Sequence, residues 1–167
     1  TLMMPVFSLQ QGLCFFIAVL ALYRAVLFIH EIAHFKKGAF LMFQKVWNLL
    51  CGFPLMVPTF LYQSVHFDHH KQNFYGTDKD GEYVPFASKG RGLILLYIGF
   101  SFLIPLIFLF RFAVLTPISY FSSGLRKFVD QKMSSLNIDL NYQRPQSSLG
   151  RNEGWKLQEV WAGIYGI

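Results

Sequence analysis

The sequence predicts an all-α integral membrane protein, in which transmembrane helices carry a cytoplasmic cap built around histidines, with the fold incomplete at both ends. Three observations lead there. In 167 residues, 53% are apolar and only 14% charged, with a mean hydropathy of +0.37, whereas a soluble domain carries roughly 25% charged residues. The apolar residues, 19 phenylalanines among them, gather in long runs instead of recurring at the period of a soluble core. All five histidines fall in two short clusters. The chain opens on Thr1 and closes in an apolar run, residues 160–167, too short to span, so a piece of a longer protein is expected.

The net charge of +6 is not a nucleic-acid footprint, because the basic residues sit in short segments flanking apolar runs, where they set membrane topology. Membrane lipids, and no nucleic acid, are the partners this implies. Cys14 and Cys51 both lie within apolar stretches and form no CxxC motif, which predicts reduced thiols with no chemical role.

Taken in order, residues 12–29 supply about 27 Å of helix, enough to cross a bilayer, and the helix is expected to run on to residue 34. The run is too long for a signal-peptide core and lacks a cleavage site, so it stays in the mature chain. Arg24 can snorkel toward the end of the helix where His30, Glu31, His34, Lys36 and Lys37 emerge. The next apolar stretch, 46–62, contains Gly52, Pro54 and Pro58, and reads as a broken interfacial or re-entrant segment leading into the second histidine cluster at 66–70. The polar interval 68–91 holds the turn sequence GTDKDG at 76–81 and reads as an ordered surface loop.

Residues 93–121 form a second long apolar run, interrupted by Pro105, Arg111 and Pro117, that either crosses once or dips in and returns. A polar basic loop, 122–157, follows, and 158–167 begins another apolar helix. The loop carries six basic residues, Arg126, Lys127, Lys132, Arg144, Arg151 and Lys156, against Asp130, Asp139 and Glu153. The positive-inside rule places this loop in the cytoplasm, and it does the same for 35–92, with seven basic residues against four acids. Both assignments cannot hold if 93–121 crosses once.

The histidines form an HxxxH, His30 and His34, and an HxxHH, His66, His69 and His70. On a helix, His30 and His34 lie about 40° apart, and the second set spans an arc of about 100°, so each cluster projects its imidazoles from one face. Neutral imidazole suits iron, zinc, copper or nickel, and five imidazoles exceed what one tetrahedral zinc uses, so two metals are the simpler reading. Interfacial histidines satisfied by water or headgroups are the alternative. Only 31 residues separate His34 from His66, fewer than the roughly 40 that two helical crossings need, so the clusters share one side only if 46–62 does not span.

These residues resemble the membrane-bound fatty acid desaturases, whose histidine boxes run HxxxH or HxxxxH, then HxxHH, then a third HxxHH or QxxHH. His30 to His34 and His66 to His70 match the first two in order, spacing and position after an apolar helix. The stretches WNLLCGFP at 47–54 and YGTDKDGEY at 75–83 look like bacterial members, implying a bacterial inner membrane. The resemblance implies two iron ions held by eight or nine histidines, with His30, His34, His66, His69 and His70 as ligands in this chain. It implies O2, an acyl lipid substrate, and electrons from a ferredoxin or a cytochrome b5-like protein. The third box is absent, so the chain alone is expected not to be catalytic. The favoured reaction is desaturation, with hydroxylation of an alkane, sterol or carotenoid, or metal binding without catalysis, as the alternatives.

Glu31, about 60° from His34 on the wheel, either hydrogen-bonds a ligand imidazole or is a solvated carboxylate. Asp68 points away from His70 by about 160° and is not expected to support it. Asp78, Asp80 and Glu82 are read as turn chemistry in preference to a carboxylate metal site. Phe100, Phe102, Phe108, Phe110 and Phe112 are read as lipid-facing or packing residues. Lys36, Lys37, Lys71, Lys89 and Arg91 form a basic collar, read as topology and headgroup contact ahead of docking an acidic electron carrier.

Overall fold

The computed structural model describes residues 7–36, 38–84, 90–149 and 154–167, and among them there are helices and turns but no strand. The expected roles of Lys37, Lys89, Arg151 and Glu153 fall outside the described residues. The first helix, α1 (Leu9–His34), begins where the Ser8 hydroxyl accepts the Gln11 amide, and it ends in the first histidine cluster. Its length is about 39 Å, and of the described helices it is the one long and apolar enough to cross a membrane. The buried residues of α1 are Ile29, Ile32 and Ala33, all in its last two turns.

Helix α2 (Leu41–Trp47) runs into a π-helical turn, Asn48–Gly52, and folds back beside α1. The Trp47 indole N–H donates to the Ala25 carbonyl of α1 at 2.7 Å, and the Trp47 ring packs with Ile29 and Ile32. Cys51 is a half-buried free thiol that packs against this cluster. The π-turn brings Asn48 to the start of α3 (Phe60–His69), where its Oδ1 accepts the Thr59 amide at 2.9 Å and its Nδ2 donates to the Thr59 hydroxyl. Gly52 is required by this approach, since a Cβ there would lie 2.7 Å from Asn48 Oδ1 and 3.3 Å from Pro58 Cα. Gln158 completes the cap by accepting the Phe60 amide. The open N–H groups at the start of α3 are thus satisfied from two distant segments, which fixes the direction in which α3 carries the second cluster.

The second apolar run folds as α4 (Arg91–Ser101), α5 (Ile104–Phe110), a π-helical turn (Arg111–Leu115) and α6 (Thr116–Ser119). Pro105 in the first turn of α5 cannot donate to the preceding helix, and a bend of 52° separates α4 from the helix that follows. The π-turn lies just before Pro117, where the missing N–H would otherwise leave a regular α-helical carbonyl without its donor. If the bent pair counts as one span, the described residues hold two candidate spans. Of the phenylalanines there, Phe102 and Phe110 are exposed, while Phe112 is buried in a core with Phe53, Phe60, Leu61 and Ala162. Phe108 packs against that core, and Phe100 lines a small cavity with it.

Helix α7 (Ser123–Lys132), a loop through 133–145, the short α8 (Gln146–Leu149) and α9 (Trp155–Gly166) close the fold. The loop laces onto α3 and the 76–82 turn. The Leu136 amide donates to the Leu61 carbonyl, the Ile138 and Asp139 amides both donate to the Gly81 carbonyl, and Arg144 donates to the Phe60 carbonyl. Segments on either side of residues 91–121 therefore form one packed body.

Charge holds the far end of this body together. Arg111 and Glu159 have no exposed surface and pair at 2.6 Å. Arg126 of α7 reaches both Glu159 oxygens, at 3.0 and 3.1 Å, and also bonds Asp130, while the Tyr120 hydroxyl donates to Glu159 at 3.0 Å. Arg111 further donates to the Met133 carbonyl and the Ser134 and Thr116 hydroxyls. Glu159→Ala removes a carboxylate shared by two arginines and strands a buried guanidinium, so unfolding of the detergent-solubilised protein should show a loss of about 3–5 kcal/mol.

Candidate metal centre

The end of α1 and the end of α3 meet, and five imidazoles converge where they do. The ring centroids of His30 and His34 lie 4.8 Å apart, those of His30 and His66 4.5 Å, those of His34 and His70 5.1 Å, and those of His66 and His70 4.5 Å. His69 stands slightly outside, 5.8 Å from His70 and 6.4 Å from His66. His66 is buried at the centre, whereas His30, His34 and His70 are exposed on one side. His34 Nε2 and His70 Nε2 approach His66 Nε2 to 2.9 and 3.1 Å.

Two rings are braced from behind by carboxylates. Glu82 Oε1 lies 3.0 Å from His66 Nδ1, and Asp80 Oδ1 lies 2.9 Å from His69 Nδ1. A carboxylate at Nδ1 holds the proton there and leaves Nε2 with its lone pair. Tyr62 stacks on the His66 ring with centroids 4.9 Å apart and donates its hydroxyl to Glu82. Burial, and then the four surrounding imidazoles, pushes His66 down to about 4, so at neutral pH its ring is uncharged. Burial raises the Glu82 carboxyl, and burial followed by the Glu82 charge raises the Tyr62 hydroxyl.

The donor set fits metal binding. Two nitrogens bound at about 2.1 Å to one cation and subtending a right angle lie about 3.0 Å apart, which matches the two Nε2 approaches at His66. Nitrogen atoms on His30, His34 and His66 all lie within 4.8 Å of one another. An all-imidazole cluster with carboxylates behind it suits iron or another first-row metal.

Sequence reasoning does not assign Asp80 and Glu82 to the histidines. Asp80 does serve the turn, accepting the Gly76 and Glu82 amides, but it is fully buried and also reaches His69. Both carboxylates are four or more residues beyond the turn signal's start, and only the fold of 76–82 back onto α3 brings them near. Asp78 makes no contact with the cluster and stays exposed. Glu31 lies 3.3 Å from His30 Nδ1, not beside His34, and is mostly exposed. Asp68 bonds Lys71 and the Tyr142 hydroxyl and leaves the histidines alone. Lys71 is exposed but paired with Asp68, which leaves Lys36 and Arg91 as the members of the basic collar without an ion pair among the described residues.

A long apolar helix that ends in a knot of imidazoles, closed by a second helix bearing HxxHH, defines a histidine-box membrane protein. The chain belongs to the fatty acid desaturase family, whose model matches residues 8–143, and that family implies a di-iron site. It is 37% identical to a ceramide hydroxylase of Caulobacter vibrioides over 171 residues, covering 96% of this chain and 47% of the relative. The chain thus spans about half the length of the curated relative it matches. No solved structure matches it.

Gly81, between the two bracing carboxylates, has no room for a side chain: a Cβ would lie 3.0 Å from the Tyr142 ring and 3.1 Å from Asn137 Cβ, and would collide with Val65. Gly81→Ala should lower stability by about 1–3 kcal/mol and weaken metal uptake with it, read by thermal unfolding and by metal content after purification.

Proposed function

We propose that this chain is part of a di-iron lipid oxidase that uses O2 and external electrons to oxidise an unactivated carbon of a long acyl chain. The five-imidazole cluster at the end of an apolar helix carries the reading, and family membership supports it. His30, His34, His66, His69 and His70 would hold iron, with Glu82 and Asp80 fixing the tautomers of His66 and His69. When bound, the irons supply the O2 activation and C–H cleavage that no side chain performs. The chain's own part is to keep His66 neutral, to orient its Nε2, and to hold the cluster beside a cavity in which substrate can lie.

The favoured outcome is hydroxylation of a ceramide-like lipid, since the ceramide hydroxylase relative covers almost all of this chain. Desaturation, the reaction that the family resemblance favours, is the second reading and rests on the family description. Packing of 134–144 on α3 and the 76–82 turn supports a topology in which 93–121 dips into the membrane and returns, leaving the histidines and the basic loop together on the cytoplasmic face. Electrons would come from a ferredoxin or a cytochrome b5-like protein.

Cells expressing the complete reading frame should accumulate a lipid that has gained one oxygen in its acyl or long-chain base portion. A product lacking two hydrogens instead would select desaturation, and an unchanged lipid profile with iron-loaded protein would count against both. Asp80→Ala and Glu82→Ala should each weaken iron binding about 10- to 100-fold, measured by metal titration of the stripped protein.

A further inference from the structure

A cavity of about 840 Å3 opens between α1, α2 and α3, and His34 stands in its wall. His34 is also part of the imidazole cluster, so whatever occupies this cavity lies next to the candidate metal centre. Its apolar walls include Ile32, Leu41 and Phe67, and its polar groups are mostly uncharged.

The polar groups are unsatisfied in a complementary way. The Ser64 hydroxyl is buried and has no partner among the described residues. Gln63 has no polar side-chain partner among the described residues. Gln158 uses its Oε1 to accept from the Thr59 hydroxyl and the Phe60 amide, which leaves its Nε2 donors open. Gln44 spends its Nε2 on Thr59, which leaves its Oε1 acceptor open. Among the described residues these donors and acceptors line one space with little charge: Lys36 is the one cation in the described wall, and the Asp68 carboxylate is already taken by Lys71 and Tyr142. A phosphate head would call for clustered arginine or lysine donors, and the described residues of this wall hold no such cluster. An amide with a neighbouring hydroxyl offers one N–H, one carbonyl and one alcohol, the set these groups can pair.

We propose that this cavity binds the uncharged amide-and-hydroxyl head of a long-chain lipid, with Ser64 and Gln63 as positioning residues. The assignment rests on the lipid-oxidase reading above. Because the head then sits against His34, the carbons presented to the imidazoles are those nearest the head, and oxidation falls within the first few carbons of the chain and not at mid-chain.

The test uses the full-length protein, stripped of metal and held in phosphatidylcholine nanodiscs, titrated with a fluorescent long-chain ceramide. Phosphatidylglycerol and palmitate serve as competitors. Ceramide should bind in preference to both, and Ser64→Ala and Gln63→Leu should each weaken it about five- to tenfold. Ser64→Ala should leave the thermal midpoint unlowered, because the hydroxyl it removes has no partner. Unchanged affinity in both variants, tighter binding of phosphatidylglycerol, loss of binding only in step with loss of stability, or oxidation at mid-chain each overturns the proposal. Ceramide binding that depends on Ser64 and Gln63, in a protein whose iron form oxidises no lipid, would leave the cavity assignment standing while the oxidase reading fails. Oxidation by the iron form with binding indifferent to both substitutions would do the reverse.

Discussion

The site depends on one contact, the packing of Gly81 against α3. Its carbonyl accepts two amides from the 138–139 strip, and its missing side chain lets it lie against Val65 and Tyr142. The residues on either side, Asp80 and Glu82, are thereby delivered to His69 and His66. An imidazole left unbraced rotates freely and chooses its tautomer by solvent. Burial and the neighbouring imidazoles keep the central ring uncharged, and with Glu82 at its Nδ1 the other nitrogen faces His34 and His70. Turn chemistry and the bracing of an imidazole are here one device, because each Asp80 oxygen accepts a turn amide while lying within 3.1 Å of His69 Nδ1.

The all-helical class was legible because apolar runs of that length have few alternatives, and the histidine clusters were legible because their spacing is helical. The wheel places His66 and His70 on one face, and in the structure their rings adjoin. What spacing could not show is which acids turn toward those rings. Glu31 is adjacent in sequence and turns to the exposed His30, while Glu82, sixteen residues from His66, is the one that reaches it. A helical wheel describes neighbours within one helix and is silent on a turn that folds back over it. Asp80 was read as a turn former for the same reason, and it is that, with a second duty that only the tertiary fold provides.

The other electrostatic feature is Glu159, whose carboxylate serves Arg111, Arg126 and Tyr120 at once. Sequence inspection marks Arg111 as an interruption of an apolar run, and nothing local says that its partner lies on another helix 48 residues on. The pairing joins the helix after the bend to α7 and α9. Through Gln158, next to Glu159, α9 also holds the start of α3. The charge cluster and the second histidine box are thus two ends of one mechanical chain, although they share no contact.

Trp47 clasps α1 at the Ala25 carbonyl, nine residues and about 13 Å short of His34. Below that clasp the helix presents apolar side chains outward, and above it Ile29, Ile32 and Ala33 are enclosed by protein. The last two and a half turns of α1 therefore act as a stalk that lifts the imidazoles clear of the helix's lipid-facing length. A chain lying flat among its neighbours would pass beneath them. On the lipid-oxidase reading, a lipid would have to rise along the stalk by about that same 13 Å to meet the cluster, so reach as well as chemical fit would select the substrate.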